Sequence, residues 1–485
     1  MKQVSELAAA LPDGMIRGGG PFAASGITAD SRQVRPGMIY AAIPGVARDG
    51  HDFLPSAIAS GAAALLVSCP ERVPEDCPVP VWQTASPRAA YARLVREFAG
   101  RPDESLDLFG VTGTNGKTTT AFLVHSLLTA CGRRGGLFST VEFRTPGGRE
   151  ASTHTTPDPD GFYRLLGRIV AEGGDFAAME LSSHSLAQHR TDGVGFRSAV
   201  FTNFTGDHLD YHRTMENYFA AKQRLFTGLM AADGQAVINC DDPAGARLAA
   251  DCPRPVITYG TGADADCRIT GIALAAGGSR CCLHYRGRDW PLATPLAGKH
   301  NLYNLAGALL GAEAMGADWE TLLAAVPHCR PVPGRLQAVT IGGVVFYVDY
   351  AHTDDALTQV LTALRQIAPR RIIVVFGCGG DRDRSKRPRM AQAVAAGADL
   401  AIVTNDNPRS EDPMAIITEI CGGFPADFAR EMQPDRAAAI RLAAGIARPG
   451  DLVLIAGKGH EDYQEINGIR HPFSDWRVLQ ELAAR

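Results

Sequence analysis

The sequence predicts an α/β chain of three domains, and three observations carry that reading. A glycine-rich turn, Gly110-Val-Thr-Gly-Thr-Asn-Gly-Lys-Thr118, lies between a short apolar run (Leu106, Leu108, Phe109) and a helical stretch. Four β-type runs near the C-terminus, at 344–348, 371–376, 400–404 and 452–456, alternate with helical patterns, as in a parallel α/β sheet. Breaks carrying proline and glycine at 96–106 and 331–335 divide the chain into segments 1–98, 99–336 and 337–485. A length of 485 residues is enough for two to four such domains with real cores.

The first segment alternates apolar runs at 38–43, 62–67 and 79–82 with helical patterns and ends in the charged stretch 96–106. The second opens on the glycine-rich turn. Strand, turn and helix together make a phosphate cradle: backbone N–H groups and a helix N-terminus face an anion, Lys117 reaches the terminal phosphates, and Thr118 can ligate Mg²⁺. The spacing departs from GxxxxGK[ST], because Val111 stands at the first glycine position and glycines fall at 110, 113 and 116. A nucleoside triphosphate is the expected ligand. An NKxD guanine-reading motif is lacking, since no Asn-Lys pair occurs anywhere, which counts against a GTPase.

Phe176-Ala-Ala-Met-Glu180 reads as a buried strand ending in a carboxylate, where a P-loop protein places a Mg²⁺ ligand or a water-positioning group. Ser182-Ser-His-Ser-Leu-Ala-Gln-His-Arg190 gathers hydroxyls, an amide and a guanidinium suited to a polar, anionic substrate. Thr202-Asn-Phe-Thr-Gly-Asp-His-Leu-Asp-Tyr-His212 has two imidazoles and two carboxylates without zinc spacing, which fits a loop around Mg²⁺. Thr214 then caps a helix whose apolar face carries Met215, Tyr218, Phe219, Leu225 and Phe226, with Lys222 on the same face. Such a lysine either snorkels to the rim or is buried with a depressed pKa. A neutral amine beside a metal site could react with CO₂ to give an anionic carbamate ligand. Residues 256–295 read as a small β-region. Gly298-Lys-His-Asn-Leu-Tyr-Asn304 opens an alanine-rich helix, with amides able to meet a base edge, although an N-cap role for Asn301 explains part of the pattern.

In the third segment each β-run leads into a polar or glycine-rich cluster: Asp349-Tyr-Ala-His-Thr353, Gly377-Cys-Gly-Gly-Asp-Arg-Asp383, Asn405-Asp-Asn-Pro-Arg409 and Gly457-Lys-Gly-His-Glu461. Parallel strands would bring all four to one sheet edge, where such sheets bind ligands. A net charge of −4 gives no nucleic-acid surface, and no apolar stretch approaches the ~18 residues of a membrane span. Eleven scattered cysteines without CxxC, and no signal-peptide core, lead us to expect a cytoplasmic enzyme with reduced thiols.

Between residues 113 and 461 the segments GTNGKTTT, MELSSHSLAQHR, TNFTGDHLDYHRTMENYFAAKQRLF, GKHNLYNLAGAL, VPGRL, VDYAHTDDAL, GCGGDRDRSKRP, NDNPRSEDP and GKGHE occur in this order and resemble the Mur ligases. Thr28-Ala-Asp-Ser-Arg32 and Pro36-Gly37 resemble that family's uridine-nucleotide domain, so the resemblance covers nearly the whole chain. It implies an N-terminal uridine-nucleotide-binding α/β domain, a central P-loop ATPase α/β domain with a small β-region, and a C-terminal Rossmann-like α/β domain that binds an amino acid. The branch it resembles uses ATP to join meso-diaminopimelate to the D-Glu γ-carboxylate of UDP-MurNAc-L-Ala-D-Glu, through an acyl phosphate, in peptidoglycan precursor synthesis. A monomer with two Mg²⁺ ions, whose C-terminal domain closes over the substrates, is implied. A folylpolyglutamate synthase would share the P-loop but not the uridine-type segment or NDNPR. A lysine-adding ligase is the closer rival.

Carried over position by position, the resemblance implies that Ser31 and the loop Val46-Ala-Arg48 hold the UDP part. Thr155, Thr156, Ser182, Gln188 and Arg190 hold the rest of the nucleotide substrate. ATP falls to Gly113, Thr114, Asn115, Gly116, Lys117, Thr118 and Thr119, with Asn304, Arg335 and Asp349. Thr118, Glu180 and His208 serve Mg²⁺, and Lys222 as N6-carboxylysine serves a second ion. Arg382, Asp406, Asn407, Pro408, Arg409, Gly457 and Glu461 bind diaminopimelate. Three positions depart from the family pattern. His154 stands for asparagine, leaving one substrate hydrogen bond open. Asp354 stands for proline, which is expected to loosen its loop, and Leu181 stands for valine, expected to be silent.

Overall fold

The computed structural model describes residues 1–11, 14–17, 22–45, 48–152 and 154–484. It falls into two compact units, Met1–Asp266 with Gly307–Leu322, and Cys267–Ala306 with Leu323–Arg485.

The first unit holds two main sheets besides the two-stranded ribbon of Lys2–Gln3 with Ala23–Ala24. The smaller runs Met15–Arg17, Val81–Gln83, Ala64–Val67, Met38–Ala41, Gly26–Thr28, parallel except for the edge strand Met15–Arg17, which the sequence reading had not foreseen. In the larger, Gly135–Phe138, Phe176–Glu180, Asp107–Thr112, Phe196–Phe201, Met230–Asn239 and Val256–Gly260 lie side by side and parallel. Leu108, Phe109 and Val111 are wholly buried, as expected of a strand covered on both faces. From Asp107–Thr112 the chain runs out to one side for the next two strands and to the other for the rest. The P-loop therefore leaves the sheet at a topological switch point, where α/β sheets bind ligands.

Local chemistry starts the helices around it. The left-handed Gly116 (φ 87°) precedes Lys117–Ala130. Side chains of Asp158 and Thr214 accept the amides of Gly161 and Asn217, capping Pro159–Ala171 and Met215–Gly228.

The second unit contains a meander, Cys267–Ala275, Gly278–Tyr285 and Arg288–Thr294, which is the expected small β-region. Its main sheet runs Gln337–Ile341, Val344–Asp349, Leu452–Ala456, Ile372–Phe376, Leu400–Val403, Arg430–Met432, and only the first pairing is antiparallel. All four C-terminal clusters therefore do meet at one sheet edge.

Two local expectations are corrected. Asn301 is not a cap: it lies inside the helix Lys299–Ala314, and its side-chain amide donates back to the Ala297 carbonyl at 2.8 Å. Asp354 does not loosen its loop. Thr353 caps the helix Asp354–Arg365, so Asp354 is its first residue, where a carboxylate complements the helix dipole, and it pairs with Arg389 at 3.4 Å. All eleven cysteines are free thiols. Among the described residues no helix is long and apolar enough to cross a membrane.

Candidate active site

The P-loop is held from the neighbouring strand end. Asn203 accepts the Asn115 amide at 2.9 Å and donates to the Asn115 carbonyl at 3.1 Å, while Thr202 donates to that same carbonyl at 2.6 Å. Gly113 permits this approach, since a Cβ there would lie 1.9 Å from the Thr202 hydroxyl. The Thr114 hydroxyl accepts the Thr205 amide at 3.0 Å and meets the Tyr218 hydroxyl at 3.3 Å. Lys117 curls over the loop onto the Gly113 and Thr114 carbonyls, at 2.9 and 2.7 Å. Asn115 is exposed, and Gly116, Lys117 and Thr119 are half-buried around the loop's open side.

Glu180 and Thr118 come together as expected. The Thr118 hydroxyl donates to Glu180 Oε2 at 3.0 Å, and Thr140 holds both carboxylate oxygens, through its amide (2.8 Å) and its hydroxyl (3.2 Å). Glu180 is 1% exposed.

Lys222 does not snorkel. It is 1% exposed, lies 4.4 Å over the Tyr218 ring, and donates to the Gly113 carbonyl at 2.6 Å. That carbonyl already takes Lys117, so two amines share one acceptor. Burial, reinforced by the Lys117 charge and only partly opposed by Asp207, pushes the Lys222 pKa well below its usual 10.5. No carboxylate among the described residues is within ion-pairing distance of it.

His208 lies in a cluster of rings and beside the Asp207 carboxylate. It is half-exposed, with left-handed backbone (φ 53°), 3.4 Å from Asp207 and edge-on to His184 at 4.7 Å. His184 in turn meets Tyr211 and His212, and His212 meets Tyr218 at 5.1 Å. Burial, with His184, His208 and Lys222 adding to it, takes the His212 pKa down to about 4.

The expected nucleotide-substrate residues converge next to Glu180. Thr156 donates to the Glu180 carbonyl at 2.8 Å and accepts the Ser182 amide at 3.3 Å. Arg190 donates to the Thr156 carbonyl at 2.7 Å and grips the Gln188 amide oxygen through two nitrogens, at 3.1 and 2.9 Å. Thr155 accepts a hydrogen bond from the Thr140 hydroxyl at 3.2 Å. Ser31 opens the turn Ser31–Gln33, capped by Asp30. Of its expected partner loop, Val46 and Ala47 lie outside the described residues.

The remaining expected residues lie in the second unit. Asn304 donates to Asn301 at 3.2 Å. Asp349 is buried and accepts the Leu336 and Ala351 amides at 2.8 and 2.9 Å; burial pushes its carboxyl up, with Arg335 opposing. Arg335 stacks on the Tyr350 ring at 4.8 Å. Asn407 donates to Glu461 at 3.1 Å, and the left-handed Arg409 donates to the Gly380 carbonyl at 2.8 Å and lies 3.6 Å from Glu465. A Cβ at Gly457 would lie 2.6 Å from Asp406, so this glycine lets the two loops close up. Pro408 is buried, whereas Arg382 is exposed.

Sequence reasoning missed Thr140, Asn203 and Lys458. Asn203 and Lys458 stand inside motifs that had been singled out, TNFTGDH and GKGHE, but Thr140 carries no sequence signal at all. The one group of three described residues with metal-ligand spacing is Cys282, His284 and Asp289, on the meander. Both nitrogens of His284 are already engaged, by Thr270 at 2.6 Å and Asp289 at 2.5 Å, so the group reads as a cross-strand polar ladder.

Three family models match the chain: "Mur ligase family, catalytic domain" over residues 23–99, "Mur ligase middle domain" over 111–312, and "Mur ligase, glutamate ligase domain" over 334–459. The UDP-N-acetylmuramoyl-L-alanyl-D-glutamate–2,6-diaminopimelate ligase of Geobacter metallireducens is 43% identical over 482 residues, covering 95% of this chain and 93% of that protein. The protein of that name from Geobacillus kaustophilus is 42% identical over 477 residues, 97% of each. A solved structure of a ligase of the same name is 36% identical, with a TM-score of 0.71 over 96% of this chain and 95% of that one.

Proposed function

The chain belongs to the Mur ligase family, and we propose that it joins meso-diaminopimelate to the D-Glu γ-carboxylate of UDP-MurNAc-L-Ala-D-Glu at the expense of ATP. It is an ATP-dependent ligase of peptidoglycan precursor synthesis. The observation that carries the reading is the pair of lysines on the Gly113 carbonyl: Lys117 on the open side of the loop, and a buried, charge-poor Lys222 beneath it. A plain nucleotide switch has no use for the second.

Each substrate falls to one segment: the uridine nucleotide to residues 1–98, ATP to 99–336, the diamino acid to 337–485. A carboxylate is a poor acyl donor, so the γ-carboxylate first takes the terminal phosphoryl group of ATP. The uncharged amine of diaminopimelate then attacks the acyl phosphate, the C–N bond forms, phosphate leaves with the C–O bond electrons, and the proton lost from the nitrogen goes to the phosphate. Lys117 neutralises phosphate charge, and Gly116 and Thr119 at the helix start offer amides to it. Arg190, Gln188, Thr155, Thr156 and Ser182 orient the nucleotide-linked peptide beside Glu180.

The hydroxyl of Thr118 and the carboxylate of Glu180 are hard oxygen donors 3.0 Å apart, a set that suits Mg²⁺; His208 would be the third donor that the family resemblance implies. A bare Lys222 does not fit a metal, but its carbamate does. The neutral amine adds to CO₂, an N–C bond forms, and one proton leaves to solvent, giving a second anionic donor and a place for a second ion. When bound, Mg²⁺ neutralises charge on the transferring phosphoryl group. We place the enzyme in the cytoplasm as a monomer.

The test is a phosphate-release assay with substrates omitted in turn. Release only when ATP, UDP-MurNAc-L-Ala-D-Glu and meso-diaminopimelate are all present is the expected result. Release from ATP alone at the full rate overturns the reading, and equal use of L-lysine assigns the chain to the lysine-adding branch.

A further inference from the structure

Lys458 is wholly buried, yet no step above uses it. Its ammonium donates to Asn407 Oδ1 at 3.0 Å and to Glu461 Oε2 at 3.2 Å, and lies 3.9 Å from Asp406 Oδ1. It also sits 5.5 Å over the Tyr463 ring. These bonds fix more than one side chain. Asn407 Oδ1 also accepts the Glu465 amide at 2.9 Å, so both its lone pairs are filled and the amide cannot flip. Its Nδ2 then faces Glu461 Oε2, at 3.1 Å. With Oε2 occupied twice, Glu461 offers Oε1 to a ligand. Asp406 Oδ2 is buried with no hydrogen-bond partner. Arg436, 4.0 Å from it, is already committed to Asp475 through two bonds at 2.7 and 2.8 Å.

Charge counting gives these bonds a consequence. Asp406 and Glu461 bring two negative charges, Lys458 brings one positive charge, and the pairs Arg436–Asp475 and Arg409–Glu465 cancel. The cluster is left with a net charge of −1, one positive charge short of neutral, which matches the single distal ammonium that both acceptors carry. The far end of meso-diaminopimelate carries an ammonium and a carboxylate, whereas that of lysine carries only the ammonium. A doubly negative pocket would favour the bare cation and repel the carboxylate.

Resting on the reading of residues 406–409 and 457–461 as the acceptor pocket, we propose that Lys458 is a positioning residue that sets acceptor selectivity. It locks the faces of Asn407 and Glu461 and keeps the pocket from the double negative charge that would favour a lone cation over a zwitterionic end.

The test is full steady-state kinetics of Lys458→Met and Lys458→Gln, in the full-length enzyme, with meso-diaminopimelate and L-lysine as rival acceptors. The expected result is a KM for diaminopimelate raised about tenfold or more with kcat within about threefold, and a diaminopimelate-to-lysine ratio of kcat/KM lowered about tenfold. KM for ATP and for the nucleotide substrate stays unchanged. Gln keeps a donor for Asn407 but not the charge, so it should lose selectivity nearly as fully as Met. If Met fails to fold, Gln and the double variant Lys458→Met/Glu461→Gln, which leaves the pocket charge as it was, decide the matter. The double variant should regain part of the lost selectivity. A folded variant with unchanged KM for diaminopimelate, or equal losses for both acceptors, overturns the proposal. Arg409→Ala is the control. If it too leaves diaminopimelate use intact, the acceptor-pocket reading has failed; if it alone loses that use, only the role of Lys458 has.

Discussion

Replacing Lys222 by methionine should make the protein more stable and less active at once. The amine is 1% exposed, has no carboxylate partner among the described residues, and shares the Gly113 carbonyl with Lys117. Substituting a buried amine that must give up its proton to fold by an apolar side chain of similar volume stabilises by about 1–4 kcal/mol. For a unit of this size that is a rise of roughly 3–10 °C in Tm, measured in metal-free, CO₂-free buffer. The sign of the pH dependence agrees. A lysine whose folded pKa is depressed binds fewer protons folded than unfolded, so wild-type stability climbs as pH rises from that depressed value towards 10.5. The methionine variant should lose that slope.

Turnover should move the other way. Losing one anionic group at the phosphoryl-transfer site costs about 2.7–4 kcal/mol, or roughly 10²–10³ in kcat. Lys222→Ala should fall as far but leaves a cavity, so acetate or formate should restore part of its activity, whereas methionine fills the space and should resist rescue. Phosphate release gives the rates, and ¹³C NMR with labelled CO₂ reports the carbamate directly. A methionine variant with more than a tenth of wild-type activity, or an active wild type without a carbamate signal, would refute the reasoning.

Arg409→Ala should cost roughly two to three and a half powers of ten in kcat/KM for diaminopimelate, the equivalent of about 3–5 kcal/mol for unpairing a desolvated carboxylate, and leave KM for ATP and the nucleotide unchanged. A preserved preference over lysine would remove Arg409 from the assignment. Asn203→Ala frees the Asn115 amide and leaves its carbonyl to Thr202 alone; because water can reach Asn115, the loss should be only about 1 kcal/mol, read as roughly a fivefold rise in KM for ATP. An unchanged KM would show that Thr202 alone holds the loop. Burial takes the His125 pKa down to about 4, so the folded chain binds fewer protons than the unfolded one between there and 6.5. Stability should therefore fall as pH drops through that window, and His125→Leu should flatten the fall in a urea titration repeated across pH.

What the sequence made legible is what the chain encodes locally. Lys222 could be placed because the face it shares with Tyr218, Phe219 and Phe226 repeats at helical spacing, and spacing survives without coordinates. The four C-terminal clusters could be placed on one edge because parallel strands leave no other arrangement. Where one residue had two plausible local partners, sequence reasoning could choose wrongly. Asn301 resembles a cap, yet the helix begins two residues earlier, at Lys299. Asp354 was expected to loosen a turn, yet it opens a helix that Thr353 caps.

The residues that were missed hold partners far away in the chain. Thr140 meets Glu180 across 40 positions, Asn203 meets Asn115 across 88, and Lys458 meets Asn407 across 51. Each of these contacts is created by strand order, which no local window contains. Strand order also explains why the site is built in this way. Asp107–Thr112 lies between Phe176–Glu180 and Phe196–Phe201, so the glycine turn, the carboxylate and the Asn203 clamp leave the sheet side by side. Moving Phe176–Glu180 would separate Glu180 from Thr118, and moving Phe196–Phe201 would release the Asn203 clamp, while leaving every motif in the sequence intact. Chemistry here depends on register as much as on residue type. Gly113 permits that register, since its backbone is in a region few other residues adopt (φ 150°) and a Cβ there would lie 1.9 Å from the Thr202 hydroxyl and 3.1 Å from the Asn203 backbone. Gly113→Ala should therefore impair ATP binding, by pushing the P-loop off Thr202 and the Asn203 backbone at the neighbouring strand end.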